Sequence, residues 1–363
     1  MRTPAPMLRR AGLLALLLAL CGGAAGAADG AKRKVIIDQD AYNRAGSDEQ
    51  SILMLLQSPD VEVLGITIAT GDGWRDEEVR DTLRMLEIAG RTDIPVYAGA
   101  VVPLVNTQAR MQRWTAQYGK LAWFGPWTRN SPDPYLVPPS PAGEPRIKAA
   151  PGTAAEFLVR MVHKYPGEVS LIAAGPFTNL ALAARLDPQF SSLAKELVFM
   201  GGSFNPVPAD NPFAAEYLNS PRLEFNMRFD PEASSIMLHE PWKRITQVPV
   251  DPTTPTLFTP AFIKEVGQGK APFDAYLEKY GQVLPMWDEM AVAVWLDPSL
   301  ITRSEVRLVD ADTQWGPDYG ATLSWGTDTA PGQGEQPVHV VFAVDVPRFE
   351  RKVLDLLEAP SPR

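Results

Sequence analysis

The stretch Lys34-Val35-Ile36-Ile37 is apolar after its first residue and stops at Asp38, as a short parallel strand buried on both faces does where it runs out into a polar loop. It opens an alternation that few folds accommodate. Ser51 to Leu56 reads as a helix, and Val61 to Ile68 as a second strand closed by Gly71-Asp72-Gly73. Arg75 to Ala89 places Val79, Leu83, Leu86 and Ile88 near helical spacing, and Ile94 to Tyr97 reads as a third strand. Strand, helix, strand, helix, strand predicts an α/β domain with a mainly parallel open sheet, right-handed crossovers and flanking helices.

From Val102 to Pro151 the pattern breaks into prolines and aromatics, with Trp114, Trp123, Phe124 and Trp127 set between polar residues. A loop of this length inside a compact domain is expected to be functional or mobile. Periodicity then resumes. Helices are expected over Ala154 to His163 and from Thr178, and near Pro260 to Val266, Glu289 to Trp295 and Arg348 to Leu357. Strands are expected over Val169 to Ala173, Glu196 to Met200, Ile245 to Val248 and Val338 to Val344. No internal repeat and no linker divides the chain, which predicts one domain over residues 28–363.

Ahead of that domain stand Met1-Arg2, Arg9-Arg10, the apolar run Ala11 to Leu20 and the small residues Ala25-Gly26-Ala27, the layout of a secretory signal peptide over residues 1–27. The apolar run is about half the roughly 20 residues that a membrane span needs. A lipid anchor on Cys21 is disfavoured because Leu20, the residue before it, is not small. Secretion or a periplasmic location is expected, with no membrane attachment after cleavage. Cleavage would remove the only cysteine, so no disulfide framework is available and stability must come from a core, for which a hydrophobic content of 45% suffices. It would also remove Arg2, Arg9 and Arg10 and no acid, taking the formal charge from -9 to -12. So acidic a protein repels nucleic acid and anionic membranes and tolerates cations. A small neutral substrate and a metal fit that balance, and the oligomeric state, a homo-oligomer included, is left open.

In open α/β sheets ligands bind beyond the carboxyl ends of the strands. Polar residues stand at several of those ends here: Asp38 and Asp40 after the first strand with Asp48 a short loop later, Asp72 after the second, and Gly175-Pro176-Phe177-Thr178-Asn179 and Gly201-Gly202 after later ones. One such aspartate could be a helix cap. Several converging carboxylates repel one another unless a cation joins them, and oxygen-only donors suit a hard ion such as calcium or magnesium.

These segments resemble the inosine-uridine-preferring nucleoside hydrolase family, whose first strand ends in Asp-x-Asp-Pro-Gly-x-Asp-Asp. Here the chain reads Asp38-Gln39-Asp40-Ala41-Tyr42-Asn43-Arg44-Ala45-Gly46-Ser47-Asp48-Glu49, three or four residues longer. With Asp48 as the last aspartate of the motif, Ser51 and Pro59 fall in register, Ser47 stands where the family has a ribose-binding acid, and Glu49 compensates if the longer loop turns it inward. Pro95-Val96-Tyr97-Ala98-Gly99-Ala100, Ala174-Gly175-Pro176-Phe177-Thr178-Asn179-Leu180-Ala181, Phe199-Met200-Gly201-Gly202, Leu223-Glu224-Phe225-Asn226 with Asp230-Pro231-Glu232-Ala233, and Met286-Trp287-Asp288-Glu289 follow in the family's order.

The resemblance implies a metal, calcium, held by Asp40, Asp48, the Thr178 carbonyl and Asp288, with Asp40 as general base. It implies substrate contacts from Asp38, Glu49, Asp72, Met200, Asn219, Glu224, Asn226 and Trp287. Asp230-Pro231-Glu232 reads as a plain helix start. Many members carry a histidine where Trp287 stands, so the chain is similar to the purine-preferring branch, in which an indole stacks on the base; Trp114 or Trp123 would cover the other face. The expected reaction is calcium-dependent hydrolysis of ribonucleosides to ribose and free base. The rivals are a non-catalytic or weakly catalytic periplasmic nucleoside- or sugar-binding protein on the same scaffold and a different N-glycoside as substrate. An aspartyl phosphatase fits less well, because Tyr42 replaces the small β-branched residue of that motif.

Overall fold

In the computed structural model, which describes residues 31–42, 44–128 and 133–360, the first strand β1 (Arg33–Gln39) is an interior strand, third from one edge of a nine-stranded sheet. Its side chains alternate as a two-residue repeat requires. Val35 and Ile37 enter the core on one face and Ile36 enters the core on the other. The remaining strands are β2 (Val61–Ile68), β3 (Val96–Ala98), β4 (Val169–Ala173), β5 (Glu196–Met200), β6 (Ile245–Val248), β7 (Ile301–Ala311), β8 (Thr322–Trp325) and β9 (Pro337–Val344). Their spatial order is β3-β2-β1-β4-β5-β6-β9-β7-β8. The pairings from β3 across to β9 are parallel, and β7 joins β9 and β8 antiparallel.

The helices in chain order are α1 (Ser47–Gln57), α2 (Arg75–Ile88), α3 (Gln108–Tyr118), α4 (Ala154–Lys164), α5 (Thr178–Leu186), α6 (Phe190–Leu193), α7 (Ala214–Asn219), α8 (Phe225–Phe229) and α9 (Pro231–His239), followed by α10 (Val250–Thr253), α11 (Pro260–Val266), α12 (Asp274–Tyr280), α13 (Trp287–Leu296) and α14 (Val346–Leu357). One core packs residues of α1, α2, α13 and α14 on one side of the sheet, and the other packs α4, α5, α6 and α9 on the opposite side. This is a single α/β domain with a mostly parallel open sheet flanked by helices, as the sequence predicts. The signal peptide expected over residues 1–27 lies outside the described residues. Among the described residues no helix is long and apolar enough to cross a membrane.

Two elements depart from the sequence reading. The segment from Val102 to Pro151 is not all loop: α3 forms within it, capped by the Thr107 side chain accepting from the Arg110 N–H, and a 3₁₀ turn follows at Gly125–Thr128. The helix buries only Met111 and Trp114, so it leaves a weak periodic signal. The β7–β8 pair was also not expected. The first half of β7, Thr302-Arg303-Ser304-Glu305, is polar, largely exposed and paired only with β9, so it reads as an edge strand does.

The topology fixes where a ligand binds. β1 has β2 on one side and β4 on the other, with Asp38 level with Thr67 and Ala173. The connections leave β1 in opposite directions, which opens a crevice at its carboxyl end. Asp40 stands just beyond that end.

Candidate active site

A cavity of about 640 Å³ opens at this switch point, within the range of small-molecule pockets. Its floor holds Asp40, Asp48, Asp72 and Asp288; Met200, Glu224 and Asn226 form one wall, and Phe213, Tyr217, Trp123 and Trp287 supply aromatic surface. Asn219 sits exposed at the rim. The structure therefore brings nine of the expected residues into one cavity: Asp40, Asp48, Asp72, Met200, Asn219, Glu224, Asn226, Trp287 and Asp288.

Asp40 is packed from both sides by backbone. A Cβ added to Gly71 would collide with its Oδ2, and one added to Gly175 would fall 2.6 Å from its Oδ1. The Asp72 N–H donates to Asp40 Oδ2 at 2.9 Å, and the Asp40 N–H donates to Gln39 Oε1 at 3.1 Å. Gln39 was missed in the sequence. As the last residue of β1 it points to the opposite face from Asp38, and its Nε2 donates to Asp288 Oδ2 at 2.8 Å and to Ser51 Oγ at 3.0 Å. One side chain thus ties Asp40, α1 and α13 together.

Glu224 is the N-cap of α8. Its Oε1 accepts from the Asn226 N–H at 2.8 Å, and its Oε2 accepts from the N–H groups of Gly202 at 2.8 Å and Met227 at 3.1 Å. Gly202 presents that N–H from a left-handed conformation, φ +81°, which favours glycine. Glu224 thus caps a helix and lines the cavity at once. Asn226 Nδ2 donates to the Met200 carbonyl at 3.2 Å. Asp230 caps α9 through the Ala233 N–H, with Pro231 at the first helical position, as expected.

Two expected contacts are corrected. Glu49 is fully buried and turned away from the cavity, its Oε2 accepting from the Ala45 N–H and the Tyr276 O–H, each at 2.7 Å. Each residue of α1 is rotated by about 100° from the last, so with Ser47 and Asp48 at the cavity Glu49 faces α12. Asp38 lies beneath the floor. Its Oδ1 accepts from Thr67 Oγ1 at 2.5 Å and Asn179 Nδ2 at 2.7 Å, while Asn179 Oδ1 accepts from the Ala100 N–H, which locks the ends of β1, β3 and α5 together. The Thr178 side chain turns to Asp230, its hydroxyl donating to Oδ2 at 2.7 Å, whereas the expected metal contact is the Thr178 backbone carbonyl. Of the two loop tryptophans, Trp114 is buried with its N–H on the Gly316 carbonyl, and it is Trp123 that reaches the cavity, donating to Asp72 Oδ1 at 2.5 Å.

The carboxylates disturb one another. Burial, reinforced by Asp72, Glu78 and Asp288, pushes Asp40 well above the usual carboxylate range. Burial likewise raises Asp48, with Asp288, Asp40 and Asp72 adding to it, and the Asp48 and Asp288 side chains hydrogen-bond to one another. Such a contact between two carboxyl groups requires a shared proton or a cation. Among the described residues no three acidic, histidine or cysteine side chains converge as a closed ligand set. The all-oxygen, anionic character of Asp40, Asp48 and Asp288 nevertheless fits a hard divalent cation.

A pH dependence follows for the protein held in chelator. Burial raises Glu49 to about 8, Asp38 to about 7 and Asp230 to about 6. Between the ordinary carboxylate range near pH 4 and these values, the folded chain holds protons that the unfolded chain releases. Stability therefore falls as pH rises through that window. The thermal midpoint in chelator is expected to decline between pH 5 and 8, measured by circular dichroism; a rising midpoint would contradict these assignments.

A crevice at the switch point of a parallel sheet, carboxylate-floored and aromatic-walled, defines an α/β enzyme for a small molecule. The chain belongs to the inosine-uridine preferring nucleoside hydrolase family, whose profile matches residues 35–351. Uridine nucleosidase 1 of Arabidopsis thaliana is 31% identical over 336 residues, covering 87% of this chain and 90% of that one. The inosine-uridine preferring nucleoside hydrolase of Crithidia fasciculata is 29% identical over 344 residues, covering 90% and 98%. A solved plant nucleoside hydrolase superposes with a TM-score of 0.72 at 26% identity, covering 90% of this chain and 99% of that one. The chain is accordingly a hydrolase of N-glycosidic bonds.

Proposed function

We propose that this chain is an exported, calcium-dependent ribonucleoside hydrolase that prefers purines and releases ribose and the free base. The observation that carries the reading is one cavity with Asp40, Asp48 and Asp288 on its floor and the Trp287 indole beside them. Asp40, Asp48, Asp288 and the Thr178 carbonyl would hold the ion. Bound there, calcium would make a water molecule more acidic.

Asp40 takes the proton of the attacking water, its carboxyl held between the Asp72 N–H and the backbone of Gly71 and Gly175. As the bond from C1′ to the base breaks, positive charge grows on the ribose, and the carboxyl groups of Asp72 and Glu224 lower its energy, the logic that glycosidases use. Asn219, Asn226 and Met200 add contacts along the wall. Trp287 meets Phe213 edge to face, with ring centroids 5.5 Å apart, which leaves an indole face for a purine. No histidine lines the cavity: His163 pairs with Asp187, the His239 ring contacts the Ser235 carbonyl, and His339 lies in β9. The departing base would therefore take its proton from solvent and not from a side chain, with stacking on the indole helping it accept that proton.

The test is reducing-sugar release from inosine, adenosine, guanosine, uridine and cytidine by the chelated protein before and after calcium is added. Calcium is expected to restore turnover, and the purines are expected to lead. Trp287→Ala should cost purines about tenfold or more in kcat/KM, in line with the ~1–3 kcal/mol of one stacked base, and uridine less. An equal loss on uridine would assign Trp287 to packing. Tight nucleoside binding without any sugar release would favour a binding protein.

A further inference from the structure

The two-residue repeat of β1 sends Val35, Ile37 and Gln39 to one face of the sheet, where Val35 and Ile37 join the core that α1 and α13 share. Gln39 is as buried as they are, 0% exposed, and stands behind the cavity floor without lining it. An amide in such a place is costly unless each of its polar atoms finds a partner. Its partners all belong to the floor or to α1. Oε1 accepts from the Asp40 N–H, while Nε2 donates to Asp288 Oδ2 and to Ser51 Oγ. Ser51 Oγ in turn donates to the Asp48 carbonyl at 2.7 Å. This network fixes which way the amide points. The Asp40 N–H can only donate, so it meets the oxygen; Ser51 has spent its one hydrogen on Asp48, so it must receive from the nitrogen. Gln39 thus reaches Asp40 and Asp288 directly, and Asp48 by way of Ser51.

We propose that Gln39 is a positioning residue for the cation: it holds Asp40, Asp48 and Asp288 together ahead of binding and so raises the affinity of the site for a divalent ion. This rests on the metal-dependent reading above and deepens it. Carboxylates so close repel one another and move apart unless something restrains them. A lysine or arginine behind the floor would restrain them, but would cancel part of the charge that attracts the cation. An amide restrains them with dipoles alone and leaves the charge of the floor unchanged. That is the gain for which a strand position suited to an apolar side chain carries a glutamine. A purely structural tie between β1, α1 and α13 would contribute to stability and leave cation affinity untouched.

The experiment is isothermal titration calorimetry with calcium alone, on the wild type, Gln39→Met and Ser51→Ala after metal has been removed by chelator. Melting curves in chelator, and kcat and KM for inosine at saturating calcium, are read on the same preparations. Gln39→Met keeps the length of the side chain and loses all its hydrogen bonds. Its calcium Kd should rise about 10- to 100-fold, the usual loss when a partner behind a metal ligand is removed, while KM for inosine at saturating calcium stays near the wild-type value. Ser51→Ala cuts only the link to Asp48 and should raise Kd by a smaller factor. A lower melting temperature in Gln39→Met with an unchanged Kd would overturn the proposal and leave Gln39 a structural tie. If Gln39→Met does not fold, Ser51→Ala decides alone, and an unchanged Kd there overturns the proposal. A wild type that binds no calcium overturns both this proposal and the calcium dependence it rests on. A wild type that binds calcium more tightly than both variants yet releases no sugar supports the positioning role and overturns the hydrolase reading instead.

Discussion

Asp40→Asn should lower kcat by about 10⁴-fold, the upper end of what a positioned general base contributes, while the chain stays folded. Asparagine has nearly the same shape, so the Asp72 N–H still finds an oxygen and the Asp40 N–H still finds Gln39 Oε1. What is lost is the proton acceptor and one of the four floor carboxylates. The substitution also removes a buried acid from among Asp72, Glu78 and Asp288, whose negative charges oppose its ionisation. In chelator the variant should therefore melt at or above the wild-type temperature near pH 7. Initial rates of sugar release and a melting curve on the same sample check both halves. Wild-type turnover would remove Asp40 from the role of base, and a melting point many degrees lower would make its contribution structural.

The second large effect is expected from a single methyl group. Gly71 lies against the Asp40 carboxyl, and an alanine there would place its Cβ on Oδ2 unless the carboxyl moves. The backbone at Gly71 is not in the left-handed region, so the strain is steric and local. Overfilling a tight site costs about 1–3 kcal/mol of stability. The larger effect is on geometry, since a displacement of about 1 Å at a reacting group can cost about 10²-fold in rate. Gly71→Ala should therefore lose about 10²-fold in kcat with a modest drop in melting temperature. Gly316→Ala is the control: a Cβ there meets nothing within 4 Å, and both activity and melting temperature should be unchanged. Near-normal activity in Gly71→Ala would mean that the Asp40 carboxyl has room that the structure does not give it.

The parts of the fold that could be read from the sequence are those buried on both sides. β1, β4 and β5 are continuous apolar runs because helices cover each face of the sheet. The β7–β8 pair at the sheet margin has no such cover along its first half, so Thr302-Arg303-Ser304-Glu305 carries no strand signal. The helix α3 escaped for a related reason: it lies on the surface and buries one narrow stripe.

Within the site, residues that follow directly from a strand end were legible. Asp40, Asp72 and Met200 stand beyond β1, beyond β2 and at the end of β5, and parallel strands deliver their carboxyl ends to one edge. What the sequence could not resolve was rotation. Glu49 is next to Asp48 in the chain, yet a helical step turns it toward Tyr276. Glu289 is next to Asp288 and is turned onto Ser47. Asp40 stands beyond the end of β1 and lines the cavity, but Asp38 is still inside the strand and pairs with Thr67 and Asn179 below the floor. Phe213 and Tyr217 reach the cavity from a stretch with no periodic pattern, α7 and the turn before it, so no spacing marked them.

Cleavage of the bond between sugar and base in this one cavity is the central proposal. Its most direct test is to quantify ribose and free base together, from inosine, in calcium and without phosphate, for the wild type and for Asp40→Asn. Equal molar amounts of hypoxanthine and ribose from the wild type, with neither from Asp40→Asn, are the predicted result. Release at the same rate from both proteins, or inosine recovered intact from a wild type that binds it, would contradict the account.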